Sequence, residues 1–309
     1  MQAVFPDYYK NFKCIASKCR HNCCIGWEID IDSSTMAFYE NVKGKMGERL
    51  KNNVSHENEP HFILGENERC PFLNKDNLCD IIIELGEEHI CDICAAHPRF
   101  INETGDRVET GIGMCCEEAA RIILSKKDTV TFEINGEESE SDCLIDIRDR
   151  AIEILQDRNI EISERIESYL DLFDTEMPDK NIGEWAEFLL GLERLDENWT
   201  ELLIALKDNR KNLDFDLFDI HMKNRQTEYE QLMVYFVYRH LINALSDIDM
   251  AARAAFAVLG YRIIYCLGAL IYKKTGKFDF EDQIEIARLF SSEIEYSDEN
   301  LDMILDELC

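Results

Sequence analysis

The sequence predicts a mainly α-helical protein with a small, metal-organised α+β region at the N-terminal side and an irregular helical bundle after it. Three observations support this fold class. Ten of the thirteen cysteines lie at or before Cys116. Short runs of helix and strand character alternate with turn signals in the same part of the chain, and repeated amphipathic helices begin near Ser141. Short elements around shared ligands are typical of a fold organised by metal.

Composition and charge divide the chain in the same way. The 309 residues are 46% hydrophobic and 31% charged, which indicates one large or two medium globular domains. Residues 1–128 contain 15 Lys and Arg against 22 Asp and Glu, whereas residues 129–309 contain 18 against 41. We therefore predict a cysteine-cluster domain over 1–128 and an acidic helical domain over 129–309. The net charge of −30 disfavours nucleic acid as a partner and favours cationic ones.

The first region reads as a series of short elements. "GWEIDID" places apolar residues at period two, and the serines of "SSTMAFYENVKGKM" can start a helix. "RFINETGDRVETGI" predicts a hairpin around an Asn/Gly/Asp turn. "CEEAARIIL" has acids in its first turn and apolar residues behind them, which predicts a helix. The cysteines thus lie at the ends of small helices and strands.

The second region carries apolar residues at helical spacing. Examples are "DCLIDIRDRAIEILQD", "IGEWAEFLLGLERL" and "EYEQLMVYFVYRHLINAL". "AARAAFAVLGYRIIYCLGALIY" is the best membrane candidate, but Arg253 and Arg262 make it a buried core helix in our interpretation. The chain start has no basic n-region or apolar h-region of a secretory signal. We expect a cytoplasmic protein that does not cross a membrane.

The clustered cysteines predict a metal site. A reducing cytoplasm disfavours disulfides, and soft metals need several thiolates converging on each metal atom. Buried free thiols are the alternative, and they are the preferred interpretation for Cys143, Cys266 and Cys309. The candidate ligands are Cys14, Cys19, Cys23, Cys24, Cys70, Cys79, Cys91, Cys94, Cys115 and Cys116.

The spacing leaves zinc and iron–sulfur open. A zinc ribbon usually has two Cys-x2-Cys knuckles, and here only Cys91 and Cys94 have that spacing. Unevenly spaced thiolates suit a multi-iron cluster at least as well. The Cys-x3-Cys-x2-Cys triplet typical of radical S-adenosylmethionine enzymes is absent from the sequence, because Cys24 directly follows Cys23 and no cysteine follows at the required position.

Three stretches carry a family resemblance. "FKCIASKCRHNCCIGWEIDID", "CPFLNKDNLCDIIIELGEEHICDICAAHPR" and "MCCEEAARIIL" resemble the bacterial flagellin lysine-N-methylase family, whose N-terminal part is similar to a wider group of zinc- or iron-chelating cysteine-cluster proteins. "YEQLMVYFVYRHLINAL" resembles a helix in the C-terminal part of the family. The resemblance implies transfer of a methyl group from S-adenosylmethionine to lysine ε-amines of flagellin, with an iron–sulfur cluster near the donor.

The chemistry implied by the resemblance has few assigned residues. The chain has His97 where an aromatic residue is expected before the Pro-Arg step, and this histidine either adds a nitrogen ligand or fills the same space. Arg99 could pair with the donor carboxylate, or it could be a surface or helix-end contact. Candidates for the base that deprotonates the amine include Asp80, Glu84 and Glu117, and the sequence does not choose among them.

A nucleotide-binding fold is not expected for the donor. The run most similar to a glycine-rich first turn is "TGIGMCC", which has no long apolar strand before it and no acidic ribose partner about 20 residues on. A second function of another class stays open: the cysteines bind structural zinc, and the helical region is a non-catalytic protein-binding module. Lysine-rich proteins such as flagellin are the expected partners in the first case.

Overall fold

The chain forms two compact units whose division follows strand pairing. The computed structural model describes residues 1–57, 59–136, 142–209, 211 and 213–309. The small unit is Lys13–Arg99, and the large unit combines Met1–Phe12 with Phe100–Cys309. This division differs from the predicted boundary after residue 128, because β1 (Gln2–Pro6) pairs in parallel with β5 (Arg107–Ile112). The chain on both sides of the cysteine-rich segment therefore enters one sheet.

The small unit is built from short elements, as predicted. Its helices are α1 (Ser33–Tyr39), α2 (Gly44–Asn53), α3 (Asp80–Leu85) and α4 (Asp92–Ala96), and its paired strands are β2 (Val54–Ser55) and β3 (His61–Phe62). Side chains from each of these elements or their flanks form its apolar core, including Ile29, Ile31, Tyr39, Leu50, Phe62, Phe72 and Ile81.

The period-two stretch of the small unit is extended but is not a regular strand. Ile29 and Ile31 are buried, so the predicted inward face is correct. The backbone makes one isolated bridge, between Asp30 and His61, in place of a continuous ladder. The neighbouring helix α1 begins at Ser33, but its N-cap is Asp32, whose carboxylate accepts from the Thr35 N–H.

The large unit contains a four-stranded sheet with the order β4, β5, β1, β6. The strands β4 (Arg99–Thr104) and β5 form the predicted hairpin, in which Gly105 takes a positive φ at the turn. The strand β6 (Phe132–Gly136) pairs antiparallel with β1. The chain runs from β5 through residues 113–116 into α5 (Glu117–Ser125), which was predicted from its acidic first turn.

Helices make up most of the large unit and confirm the predicted bundle. They are α6 (Cys143–Leu155), α7 (Ile162–Leu172), α8 (Ile182–Leu189), α9 (Glu197–Asn209), α10 (Phe215–Met222), α11 (Gln226–His240), α12 (Asp247–Thr275), α13 (Phe280–Phe290) and α14 (Asp298–Leu308). A π-helical turn over Ser291–Glu295 joins α13 to the segment before α14. Gly276 ends α12 in the left-handed conformation, which glycine adopts readily.

The helix α12 is the centre of the large unit. In the part of the chain that the structure describes, it is the one helix whose length and hydropathy would allow it to cross a membrane, and 78% of its most apolar window is buried inside the protein. Its Gly260 allows close packing, because a Cβ there would lie 2.8 Å from the ring of Phe236 and 3.2 Å from that of Phe290. The helix therefore packs directly against α11 and α13.

We expect Gly260→Val to destabilise the large unit by about 2 kcal/mol, because the new methyl groups overlap the two phenylalanine rings. Urea unfolding followed by far-UV circular dichroism measures the change. Arg262→Val, at an exposed position of the same helix, should stay within about 0.5 kcal/mol of the parent protein. Equal stability of the two variants would show that α12 does not pack this closely.

Candidate functional site

Six cysteines of the small unit are connected through electrostatic interactions between their thiols. The Cys24 thiol interacts with those of Cys23, Cys70 and Cys94. The Cys94 thiol interacts in turn with those of Cys91, Cys70 and Cys79. We call this set the thiol cluster; its members are Cys23, Cys24, Cys70, Cys79, Cys91 and Cys94. Three sequence segments that are far apart along the chain thus supply one group of sulfur atoms.

Backbone hydrogen bonds join these segments. The Cys70 N–H donates to the Cys24 carbonyl at 2.8 Å, and an adjacent bridge pairs Ile25 with Arg69. A second bridge pairs Leu73 with Cys79, which is the N-cap of α3. Cys91 is the N-cap of α4, and Cys94 follows on the same helix, so these two thiols share one side of its first turn.

The close approach of the thiols changes their acidities. Burial raises the pKa of Cys70 to about 11, and it also raises that of Cys79. In each of two pairs one thiol donates to the other: the bond from Cys24 lowers the pKa of Cys23 to about 7, and the bond from Cys94 lowers the pKa of Cys91. Because several thiolates close together repel one another, a cation bound among them would stabilise their charged forms.

The donor chemistry of the thiol cluster fits a soft metal centre. Thiolates are the ligands that zinc and iron–sulfur clusters use in proteins. Among the described residues, no group of three or more His, Cys, Asp or Glu side chains is already arranged to hold a metal ion. The metal site and the identity of the metal therefore stay predictions.

The other candidate ligands lie in different surroundings. Cys14 and Cys19 belong to the small unit and make local contacts, with the Ala16 N–H and the His21 carbonyl respectively. Cys115 and Cys116 belong to the large unit, in the loop between β5 and α5. The three cysteines predicted not to bind metal, Cys143, Cys266 and Cys309, are also in the large unit.

Two residues that the sequence analysis missed hold the backbone around Cys91. We call residues 89–92 the Cys91 turn. One Asp32 oxygen caps α1, and its other oxygen accepts from the Asp92 N–H at 3.0 Å. The hydroxyl of Tyr39 donates to the His89 carbonyl at 2.8 Å and lies 3.8 Å from the Cys91 sulfur. Asp32 carries a capping signal in "DSST", but nothing in the sequence near Tyr39 indicates its position beside Cys91.

The predicted histidine and arginine lie just after α4. The ring of His97 is 5.9 Å from that of Trp27, whose indole N–H donates to the Cys23 carbonyl. Burial lowers the pKa of His97 to about 4, so the ring is neutral at pH 7 and keeps a nitrogen lone pair. Arg99 donates to the Ala95 carbonyl at 3.3 Å, which is the helix-end contact that the sequence left open.

The three candidate bases have different surroundings. Asp80 accepts from Arg49 at 2.6 Å and from Asn74 at 2.8 Å, and although burial opposes its charge, these bonds lower its pKa. Glu84 is exposed on α3. Glu117 is buried in the first turn of α5, in the large unit. Asp80 is thus held by structural partners, and neither its charge nor its bonds suit it to accept a proton near pH 7.

A buried polar network in the large unit was also missed. Glu295 accepts from the Tyr235 hydroxyl at 3.1 Å and pairs with the His240 ring at 2.6 Å, while Arg239 donates to the Tyr235 hydroxyl at 2.7 Å. Burial alone would raise the pKa of Glu295, but the Arg239 charge and the His240 bond lower it. Glu295 is therefore a carboxylate paired with the Arg239 guanidinium. Burial lowers the pKa of His240, so its ring is neutral and its N–H donates a hydrogen bond to the carboxylate.

Arg239 of this network also lies near the second pair of adjacent cysteines, Cys115 and Cys116. Arg239 lies between the rings of Phe100 and Tyr296, with its guanidinium carbon 5.0 and 4.6 Å from their centroids. Burial raises the pKa of Cys115 to about 12, against the opposing effects of Tyr296 and Arg239. The residues of the network come from three segments that are far apart along the chain. Their spacing in the sequence therefore did not indicate the network.

Comparison with known proteins assigns the C-terminal part of the chain. Residues 170–308 match the family model described as the FliB lysine N-methylase C-terminal domain. The predicted resemblance to the flagellin lysine-N-methylase family is confirmed. The matched range contains Tyr235, Arg239, His240 and Glu295, whereas the thiol cluster lies outside it.

Three curated relatives have names that agree with this family. The proteins named Lysine-N-methylase from Salmonella choleraesuis and Salmonella typhimurium are each 30% identical over 137 residues, which cover 41% of this chain and 33% of theirs. The Flagellar biosynthetic protein FliU of Salmonella muenchen is 29% identical over 137 residues, which cover 41% of this chain and 79% of that protein. The chain thus aligns with about a third of the two methylases' length. No solved structure matches the chain.

We expect Cys70→Ala, Cys79→Ala, Cys91→Ala and Cys94→Ala each to lower the metal content of anaerobically purified protein by half or more, because each removes one sulfur from the thiol cluster. Cys143→Ser and Cys309→Ser are the controls, and they should keep the parent content. Mass-spectrometric metal analysis gives the result. Full retention in most of the first set would mean that the thiols of the cluster are not ligands.

We expect Asp32→Ala to destabilise the small unit by about 1–2 kcal/mol at pH 7, because it loses the cap of α1 and the bond to the Asp92 N–H. Burial opposes the charge of Asp32, but those hydrogen bonds hold its pKa well below the usual range. The contribution of Asp32 is therefore complete above about pH 4 and disappears as the pH falls further.

Thermal unfolding of the Asp32→Ala variant and the parent from pH 7 to pH 2 measures this contribution. Asp30→Ala, two residues away at an exposed position, serves as the control and should behave like the parent. A difference between Asp32→Ala and the parent that persists undiminished at pH 2 would contradict the role given to the Asp32 charge.

Proposed function

We propose that this protein is an S-adenosylmethionine-dependent lysine N-methyltransferase that modifies lysine ε-amines of flagellin. The match of residues 170–308 to the FliB lysine N-methylase C-terminal domain carries the proposal. The relatives' names supply the reaction and the flagellar connection: two are named Lysine-N-methylase, and a third is named a flagellar biosynthetic protein. In this proposal the enzyme acts in the cytoplasm on a protein substrate, and we expect neither nucleic acid nor a membrane as a partner.

The proposed resident cofactor is an iron–sulfur cluster held by the thiol cluster, with zinc as the alternative metal. The convergence of six thiols in one unit supports it. A bound cluster with an open iron position would supply a Lewis-acidic anchor for the amino and carboxylate groups of S-adenosylmethionine. Arg99 stays the candidate partner of the donor carboxylate, and Cys14, Cys19, Cys115 and Cys116 stay predicted metal ligands.

The protein's own residues must make the lysine amine reactive. A free lysine has a pKa near ~10.4, so about one amine in a thousand is neutral at pH 7. Desolvation in an apolar surrounding or a neighbouring base lowers that pKa, and alignment with the methyl group completes the requirement. The excess of Asp and Glu over Lys and Arg along 129–309 would draw a lysine-rich surface to the protein before this step.

We expect the cluster-replete enzyme to incorporate methyl groups into purified flagellin when S-adenosylmethionine is supplied. The rate at limiting flagellin should fall as salt rises, because counterions screen the acidic surface, and it should rise by up to about ten-fold per unit from pH 7 to 9 as neutral amine accumulates. Mass spectrometry of the modified flagellin measures both dependences.

Two controls interpret this assay. The Cys94→Ala variant should lose at least nine-tenths of the rate, and free lysine should react more slowly than flagellin. Lack of incorporation by metal-replete enzyme, together with stoichiometric zinc in colourless protein, would favour a zinc-stabilised protein-binding module. A rate of incorporation that does not change with salt would support the methyltransferase activity. It would also show that the acidic surface does not contribute to the mechanism.

A further inference from the structure

Both ends of the helix α1 contact the Cys91 turn. At its N-terminal end, the Asp32 carboxylate accepts from the Asp92 N–H at 3.0 Å. At its last residue, the hydroxyl of Tyr39 is 2.8 Å from the His89 carbonyl and 3.8 Å from the Cys91 sulfur. These contacts bracket residues 89–92, so one helix fixes the backbone on both sides of Cys91.

The Tyr39 hydroxyl has one hydrogen but two possible hydrogen-bond partners, the His89 carbonyl and the Cys91 sulfur. The short distance assigns that hydrogen to the His89 carbonyl while Cys91 is a thiol, and the thiol can then donate to the phenol oxygen. When Cys91 binds a metal, its sulfur loses the proton to solvent and becomes an acceptor. If the hydroxyl still donated to the His89 carbonyl, a lone pair of the phenol oxygen would then face the thiolate.

We propose that Tyr39 is a positioning residue for the metal-bound form of Cys91, in which its hydroxyl turns from the His89 carbonyl to donate to the Cys91 sulfur. This inference rests on the proposed metal site. A donor to a ligating sulfur stabilises its negative charge, which strengthens retention of the metal and raises the reduction potential of an iron–sulfur cluster.

The surroundings of Tyr39 suit this role. Its side chain is buried, and its ring packs against Phe62 with centroids 6.2 Å apart. The rotation of one hydroxyl needs no movement of the ring, and the packing can therefore stay the same in both states.

The test compares Tyr39→Phe with the parent protein, both purified anaerobically with the metal they contain. Phenylalanine keeps the packed ring and removes only the hydroxyl. We expect the variant to bind the parent amount of metal, to lose it to a chelator on the order of ten-fold faster, and, if the metal is an iron–sulfur cluster, to have a lower reduction potential. Phe38→Leu is the control, because Phe38 lies on the same helix and stacks on the His89 ring with centroids 3.9 Å apart.

A double variant separates this role from a general loss of stability. In the Cys91→Ser background the sulfur is absent, so adding Tyr39→Phe should change chelator resistance no further. Equal metal release and equal potential in the parent and Tyr39→Phe, or an equal loss in Phe38→Leu, would overturn the inference while the metal site stands. Parent protein that takes up neither iron nor zinc would overturn the proposed cofactor and the inference together.

Discussion

The parallel pairing of β1 with β5 is the constraint on which the division of the chain depends. Gln2 is opposite Arg107 in the register, and the Arg107 guanidinium donates to the Gln2 side chain at 2.8 Å and to Glu109 at 2.6 Å. All three side chains are buried, so the pairing cannot shift without leaving charged groups unpaired. The segment Lys13–Arg99 is therefore an insertion between two parts of one unit.

The two units use different means to organise their polar groups. The small unit brings six thiols together through short bridges and the first turns of α3 and α4. The large unit buries an ionised pair, Glu295 and Arg239, and satisfies it with Tyr235 and His240. The π-helical turn that contains Glu295 is a conformation often found at functional sites. Chemistry-bearing groups are thus present in both units.

Much of the architecture was predictable from local patterns. Helical spacing of apolar residues indicated the bundle, and the turn residues of "RFINETGDRVETGI" indicated the hairpin, because both signals lie within a few neighbouring residues. The strand predicted at "GWEIDID" was correct in its buried face but not in its ladder, since a ladder needs a partner strand that period-two spacing does not reveal. The observed division also differs from the predicted boundary after residue 128 for a related reason. The strand β1 pairs with β5, which lies more than a hundred residues away in the sequence.

The sequence alone determined the cysteine-rich character of the first region, the helical bundle and the family of the C-terminal part, because composition, periodicity and family similarity are properties of the linear chain. Tertiary structure decided which thiols meet, that Cys115 and Cys116 belong to the large unit, and that Asp32 and Tyr39 hold the Cys91 turn. Each of these depends on distances between segments that are remote in sequence, and such distances are fixed only when strand pairing and core packing close the chain.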